Sequence, residues 1–353
     1  MMNASKKRVL DALTGKTPDK IPYIHSLIAQ NVREGILGHP LDYGEDYFDA
    51  PDYGPVCKPG EETFLPALDV IDPRVARKIG LDAVCMGFFP PNFANTTVTG
   101  GLVFMTDGLL TSKEAIDKIT FPDPDDEKAL ARARRYVQAN TGEFAVGARI
   151  RLGISFILNS MGLEHFSYML ADSPELIVEC LEKYAAWNIR LIRNLNELGF
   201  DFMWAFDDLA YSNMPMFSTE IFEEIFFPTV KKMADEIATP WIFHSDGNLM
   251  PILDSLKKLG MNGIHPLEPG TMDLAELKAK HGKDLTLIGN IDINHLLTDA
   301  TREEVFAAVK DRVEVLGPGG RYIISDSNSV PSYCTARNVM YLAEAVREYR
   351  NFY

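Results

Sequence analysis

Eight short apolar runs, separated by amphipathic stretches, constrain this chain more than any other feature. They are IPYIH (21–25), DAVCMGF (82–88), FAVGAR (144–149), FDFMWAF (200–206), TPWIFHSD (239–246), GIHPLEP (263–269), LTLIGNID (285–292) and RYIISDSN (321–328). Short, continuously apolar runs are what strands buried on both faces require, as in a parallel sheet covered by helices. Between them lie stretches such as SPELIVECLEKYAAWNIRLIRNLNELG, STEIFEEIFFPTVKKMADEIA, LMPILDSLKKLG and TREEVFAAVKDRVEVLG. These carry Ser, Thr or Asp near their starts and Gly near their ends, as helix caps do. Eight β-α units fit a closed (β/α)8 TIM barrel, read as a single domain over 1–353. An open doubly wound sheet fits less well, because no G-x-G-x-x-G follows the first run.

Bulk properties agree and exclude several functions. At 353 residues and 46% hydrophobic, the chain is large enough for one substantial core. No 18-residue apolar run occurs, and MMNASKKRVLDALTGKTPDKIPY has no apolar signal core, which predicts a cytoplasmic protein without a membrane span. Cys57, Cys85, Cys180 and Cys334 are far apart and form no CxxC pair, which argues against a disulfide framework or a cysteine-rich metal knuckle. Fifty acidic residues against 35 basic ones give a net charge of −15, which repels nucleic acid and anionic membranes. Two segments break the repeat, 40–66 after the first run and 90–111 after the second. The first reads as a long ordered excursion and the second as a hairpin around Gly-Gly, both rising over the barrel mouth as a lid, a partner-docking surface or ordinary insertions.

In such a barrel the strands end in a common mouth, so strand-terminal polar residues are the site candidates. The fourth run ends in Asp207 and Asp208, the fifth in His244 and Asp246, and the sixth in Glu268. The seventh ends in Asn290 and Asp292, the eighth in Ser325, Asp326 and Asn328, and the first contributes His25. Carboxylates crowded in one low-dielectric basin raise each other's pKa unless a cation offsets them. A metal ion meets that need. His244 and Asp246, two apart on one strand, chelate from a single strand end, with Glu268, Asp326 or Asn328 as a further ligand. Zinc suits His plus carboxylates, and Mn, Fe or Co satisfy the same residue types. Other readings of these residues stay open. An H-x-D can be a strand-end His bonded to a neighbouring carboxylate. Asp207 and Asp208 can cap the helix that begins near Ser218 or pair with Arg149 and Arg151, Asp292 can be a helix N-cap, and His265 can be a satisfied core histidine. The phenylalanines of IFEEIFFPTVKKM are expected in the core.

Longer stretches carry a family likeness. PILDSLKKLGMNGIHPLE, DLAELKAKHGKDLTLIGNIDINHLL, the opening RVLDALTGKTPDKIPY, TSKEAIDKITFPDP and FDDLAYSNMPMFSTEIFEEIFFPTVKKM resemble the uroporphyrinogen decarboxylase (URO-D) superfamily over nearly the whole chain. The resemblance implies a (β/α)8 barrel and two chemistries. The decarboxylases carry an Arg-rich segment after their first strand to hold a substrate with many carboxylates. Here that place reads HSLIAQNVREGILG, so the arginine cradle is missing, and an acidic mouth also repels a polyanion. The corrinoid-dependent methyltransferases carry a zinc site of His-x-Cys with a later Cys. Here His244 matches the His, Asp246 replaces the first Cys, and Asp326 or Asn328 stands where the second would be, with Cys334 a few residues on.

Carboxylates in place of thiolates make a harder, more Lewis-acidic centre, suited to polarising an ether oxygen or an amine. The resemblance therefore implies methyl transfer from a small methylated substrate, such as an aryl methyl ether, to cob(I)alamin. No cobalamin-binding motif is present, so the cobalamin is carried by a separate corrinoid protein. The expected metal ligands are His244, Asp246, Glu268 and Asp326. Asp207, Asp208 and Tyr211 are expected to act in catalysis, and His25, Trp204 and Asn290 to bind substrate. A homodimer is compatible with this reading. The rivals are a metal-free decarboxylase or lyase of a small acid using Arg149 and Arg151, a methylcobalamin:thiol or tetrahydrofolate methyltransferase, and a non-catalytic cation-binding protein.

Overall fold

The computed structural model describes residues 2–41, 55–66, 68–69, 71–99 and 102–353. Seven of the eight apolar runs form parallel strands: β3 (Ala83–Gly87), β6 (Ala145–Ile150), β7 (Phe202–Phe206), β8 (Trp241–His244), β9 (Gly263–His265), β10 (Thr286–Ile291) and β11 (Tyr322–Asp326). They lie in the order β11-β10-β9-β8-β7-β6-β3, with the two-residue β2 (Leu68–Asp69) antiparallel to β3. Every residue of the seven is buried, as expected of strands enclosed on both faces.

The first run supplies the closure and not a full strand. Tyr23 makes a parallel bridge to Ile324, with Ile24 N donating to Ile324 O at 3.0 Å and Ile324 N to Pro22 O at 2.9 Å. On its other side Asp82 N donates to Tyr23 O at 2.8 Å. The run thus joins β11 to the residue just before β3 and completes a TIM-barrel ring.

Helices alternate with the strands, and local chemistry sets their ends. Thr301 and Glu304 form a reciprocal capping box at Arg302–Leu316. Pro174 opens the 24-residue helix Pro174–Glu197. In Thr219–Ala234 the turn Phe222–Phe226 is π-helical, and Phe222, Phe226, Val230 and Met233 are buried, as the helical spacing predicts. LMPILDSLKKLG is less helical than its pattern, with a helix only over Leu253–Lys257. Among the described residues, no helix is long and apolar enough to cross a membrane.

Residues 42–54 of the first insertion lie outside the described residues. The second insertion is the antiparallel hairpin β4 (Asn92–Thr99) and β5 (Leu102–Gly108), flanked by the short β1 (Val56–Cys57). It packs on the helix Ile154–Met161, where Phe93 N donates to Ser160 Oγ at 3.1 Å.

At the N-terminal end of the strands, carboxylates meet cations. Asp82 is buried between Arg8 and Arg350 and accepts the Tyr23 N–H at 2.9 Å. Asp201 lies 2.5 Å from Lys6 and accepts the Val146 N–H at 2.9 Å.

Candidate metal centre

At the opposite end, the turns after β7 and β8 are tied together by backbone and hydroxyl bonds. Ser245 Oγ accepts the Leu209 N–H at 2.9 Å and donates to Asp246 O at 2.9 Å. Asp208 Oδ1 accepts the Asp246 N–H at 3.1 Å. Gly247 completes the turn with φ +82°. A Cβ there meets Tyr211 O at 2.4 Å, so only glycine fits. The Gly247 N–H donates to Glu268 Oε2 at 2.9 Å. His-Ser-Asp-Gly is thus a strand end in which each residue has a separate task.

The turns bring Asp208, His244 and Asp246 together, with one ligand atom of each within 4.8 Å of the others. His244 Nε2 is 3.7 Å from Asp208 Oδ1 and 3.8 Å from Asp246 Oδ1. Ligands about 2.0–2.1 Å from a tetrahedral zinc stand about 3.3–3.4 Å apart, so the two His244–carboxylate separations lie within a few tenths of an ångström of that spacing, and the two carboxylates lie within 4.8 Å of each other. Asp246 Oδ1 is buried and accepts no hydrogen bond among the described residues, while Oδ2 accepts from Asn328 Nδ2 at 2.5 Å. A buried carboxylate oxygen without a donor favours a cation beside it.

Electrostatics point the same way. Burial raises the Asp246 carboxyl to about 8, and Asp208, Glu268 and Asp326 add to the shift. Burial likewise raises Asp208. His244 is held well below its ordinary value by burial, then by His265, Arg149 and Arg151, which keeps it neutral, as a metal ligand must be.

The structure places the remaining candidates differently from the sequence reading. Asp208, expected in catalysis, is the third member of the cluster. Asp326 and Glu268, expected as ligands, fall outside it. Asp326 is fully buried and paired with His25 Nδ1; burial pushes its carboxyl up, but the His25 ring outweighs this and holds it below the usual range. Glu268 braces Gly247. Asp207 accepts the Leu152 and Ser155 N–H groups at 2.8 and 2.7 Å. It thus caps the start of Ile154–Met161, whereas the helix after it has Ser218 as its own cap. Burial raises the Asp207 carboxyl to about 6.

His25 and Trp204, expected to bind substrate, are fully buried in the floor. His25 Nε2 bonds the Tyr23 hydroxyl at 2.8 Å, and Trp204 packs edge-on against His265, centroids 4.8 Å apart. Asn290 donates to Leu267 O while its Oδ1 is buried without a donor among the described residues. Tyr211 stands at the rim, 47% exposed. Asp292 accepts the Asn294 and His295 N–H groups, consistent with its capping alternative.

His265, read from the sequence as a satisfied core histidine, is fully buried and hydrogen-bonded. Its Nδ1 lies 2.6 Å from His244 Nδ1. The pairing of β8 with β9 sets the two histidines side by side, each at its strand's last residue.

The uroporphyrinogen decarboxylase (URO-D) profile matches residues 105–349, more than half of the chain and all of the cluster. The chain belongs to the URO-D family. Uroporphyrinogen decarboxylase 2, chloroplastic, from Arabidopsis thaliana is 24% identical over 232 residues, covering 63% of this chain and 56% of that protein. A methylated-thiol--coenzyme M methyltransferase from Methanosarcina mazei is 25% identical over 96 residues, 27% of this chain and 25% of that protein. The chain thus matches about half of the first relative's length and a quarter of the second's. A solved methyltransferase from Methanosarcina mazei superposes at a TM-score of 0.69 with 16% identity, covering 98% of this chain and 99% of its own. At that identity the match shows a shared URO-D barrel fold along the whole chain.

Proposed function

We propose that this URO-D family chain is a methyltransferase. It takes a methyl group from a small methylated substrate, of the aryl methyl ether or related methoxy or methylamine type, and passes it to the cob(I)alamin of a separate corrinoid protein. Asp208, His244 and Asp246 would hold zinc or another divalent ion. The observation that carries this reading is the cluster itself, two crowded carboxylates and a neutral imidazole at the ends of adjacent strands, with one Asp246 oxygen lacking a donor among the described residues. The methyltransferases named among its relatives support the transferase half.

When bound, the ion supplies Lewis acidity at the leaving heteroatom and cob(I)alamin supplies the nucleophile. The chain's own residues set the stage. Asn328 fixes the orientation of Asp246, Ser245 locks one turn to the other, and Asp207 braces Leu152 and Ser155 through their amides. Tyr211, whose backbone adjoins Gly247 at the rim and whose side chain is exposed, would give a proton to the departing oxygen or nitrogen.

The test is methyl transfer to free cob(I)alamin, followed by absorbance as methylcobalamin forms, across a panel of aryl methyl ethers and methylamines. Turnover with at least one class, abolished in His244→Ala, is the expected result. A zinc-loaded protein that transfers a methyl group to cob(I)alamin from no member of the panel, whether the cobalamin is free or held on a corrinoid protein, contradicts the proposal.

A further inference from the structure

We propose that a cavity at the N-terminal end of the barrel, lined by Lys20, Arg77 and Arg347, binds a small ligand through a phosphate group. Gly80, Asp82, Glu143 and Phe144, just before β3 and β6, place it at the end away from the metal cluster. Nothing in the methyl-transfer reading requires it.

Charge is the first observation. The whole chain carries −15, yet this one cavity of about 420 Å³ is lined by Arg8, Lys20, Arg77, Arg347 and Arg350. Its lining acids are Asp82 and Glu143. The volume is that of a small-molecule site, which spans about 300–1,000 Å³.

The partners of these cations separate those that hold the fold from those left to hold a ligand. Arg8 and Arg350 clasp Asp82, and Arg8 also grips Asp19 from Nε and Nη2, both at 2.7 Å. Arg350 Nε donates to Ile21 O at 2.9 Å. These two guanidiniums are committed to the brace that closes the ring. Lys20 makes no ion pair among the described residues, and Arg347 makes none either, donating only to Lys78 O at 3.5 Å. Arg77 stands between the two groups. Its Nε bonds Glu143 at 2.8 Å, but both side chains are half exposed, and such pairs are weak. Lys20 bears the mark of cations packed with too little counter-charge. Burial, then Arg350 and Arg8, hold its ammonium below the usual range, and Asp82 and Asp19 offset only part of this.

The three available cations come from three parts of the chain. Lys20 precedes the first run, Arg77 lies in the last turn of the helix Pro73–Ile79, and Arg347 in the last turn of Ala336–Tyr349. Phosphate suits donors that converge from separate elements, because it offers three acceptor oxygens and close to two charges. A single carboxylate is planar and carries one charge.

The test is a titration of metal-free protein with inorganic phosphate at constant ionic strength, followed by calorimetry, for wild type, Lys20→Gln, Arg347→Gln and the double variant. Both residues lack ion pairs among the described residues, so the variants should fold, which circular dichroism checks. One phosphate per wild-type chain is expected. Kd should rise about tenfold in each single variant, the loss of one hydrogen bond to a charged group, and saturation should vanish in the double variant. Glycerol 3-phosphate binding tighter than inorganic phosphate assigns the site to a phosphate ester, and the reverse order to the free ion. A wild type that binds neither, a double variant that binds as well as wild type, or acetate that competes as well as phosphate overturns the proposal.

Discussion

The two ends of the barrel treat acidic residues in opposite ways. At the strand N-termini, Asp82 lies between Arg8 and Arg350 and Asp201 against Lys6, so each buried carboxylate has its cation. At the mouth, Asp208 and Asp246 face each other and a neutral His244, and one Asp246 oxygen has no donor among the described residues. Paired carboxylates are struts that hold the first run and the last helix to β3. Asp208 and Asp246 also accept hydrogen bonds that tie their turns together, but as crowded carboxylates they would gain from a positive charge supplied from outside. The same residue type is therefore fully paired at one end, while at the other Asp208 and Asp246, unlike Asp207, Asp326 and Glu268 beside them, are left to crowd one another.

That contrast can be broken by substitution, starting from the bottom. Asp82→Asn leaves Arg350 buried without its carboxylate and Arg8 with Asp19 alone. It should cost about 3–5 kcal/mol of unfolding free energy in a denaturant titration, while the remaining folded protein binds zinc as the wild type does. Gly247→Ala forces a side chain into the left-handed region and against Tyr211 O. About 1–3 kcal/mol of stability should be lost, with zinc affinity falling because the turn carrying Asp246 moves. Ser245→Ala leaves the buried Leu209 N–H unpaired and should cost about 1–3 kcal/mol, at the lower end if water reaches it. Asp246→Asn should change the stability of the metal-free protein least of all, or raise it slightly, since it removes one of two crowded carboxylates; the same variant should lose zinc binding. An Asp246→Asn protein as destabilised as Asp82→Asn would erase the distinction between the ends.

Much of this was legible in the sequence because parallel strands buried on both faces must be written as short apolar runs. The run order also placed Asp208, His244 and Asp246 at one mouth. What the sequence could not show is which acids already have partners. Asp326 looked like a ligand, yet His25, 301 positions away, claims it through the closure of the ring. Asp207 looked catalytic, yet it caps a helix 52 residues upstream. Glu268 ends the same kind of run as Asp246 but is used on the Gly247 amide. Each of these roles depends on a long-range contact that no spacing encodes. The first run was also overread as a full strand, because a single bridge and three backbone bonds suffice to close the barrel.

The most direct test of the central claim is the zinc content of tag-free protein by elemental mass spectrometry after equilibration with zinc and removal of the excess, for wild type, His244→Ala and Asp246→Ala. The account predicts about one ion per wild-type chain and none in either variant, as for a single three-residue site with an open position. A wild type that retains no zinc, or variants that retain as much as wild type, would contradict it.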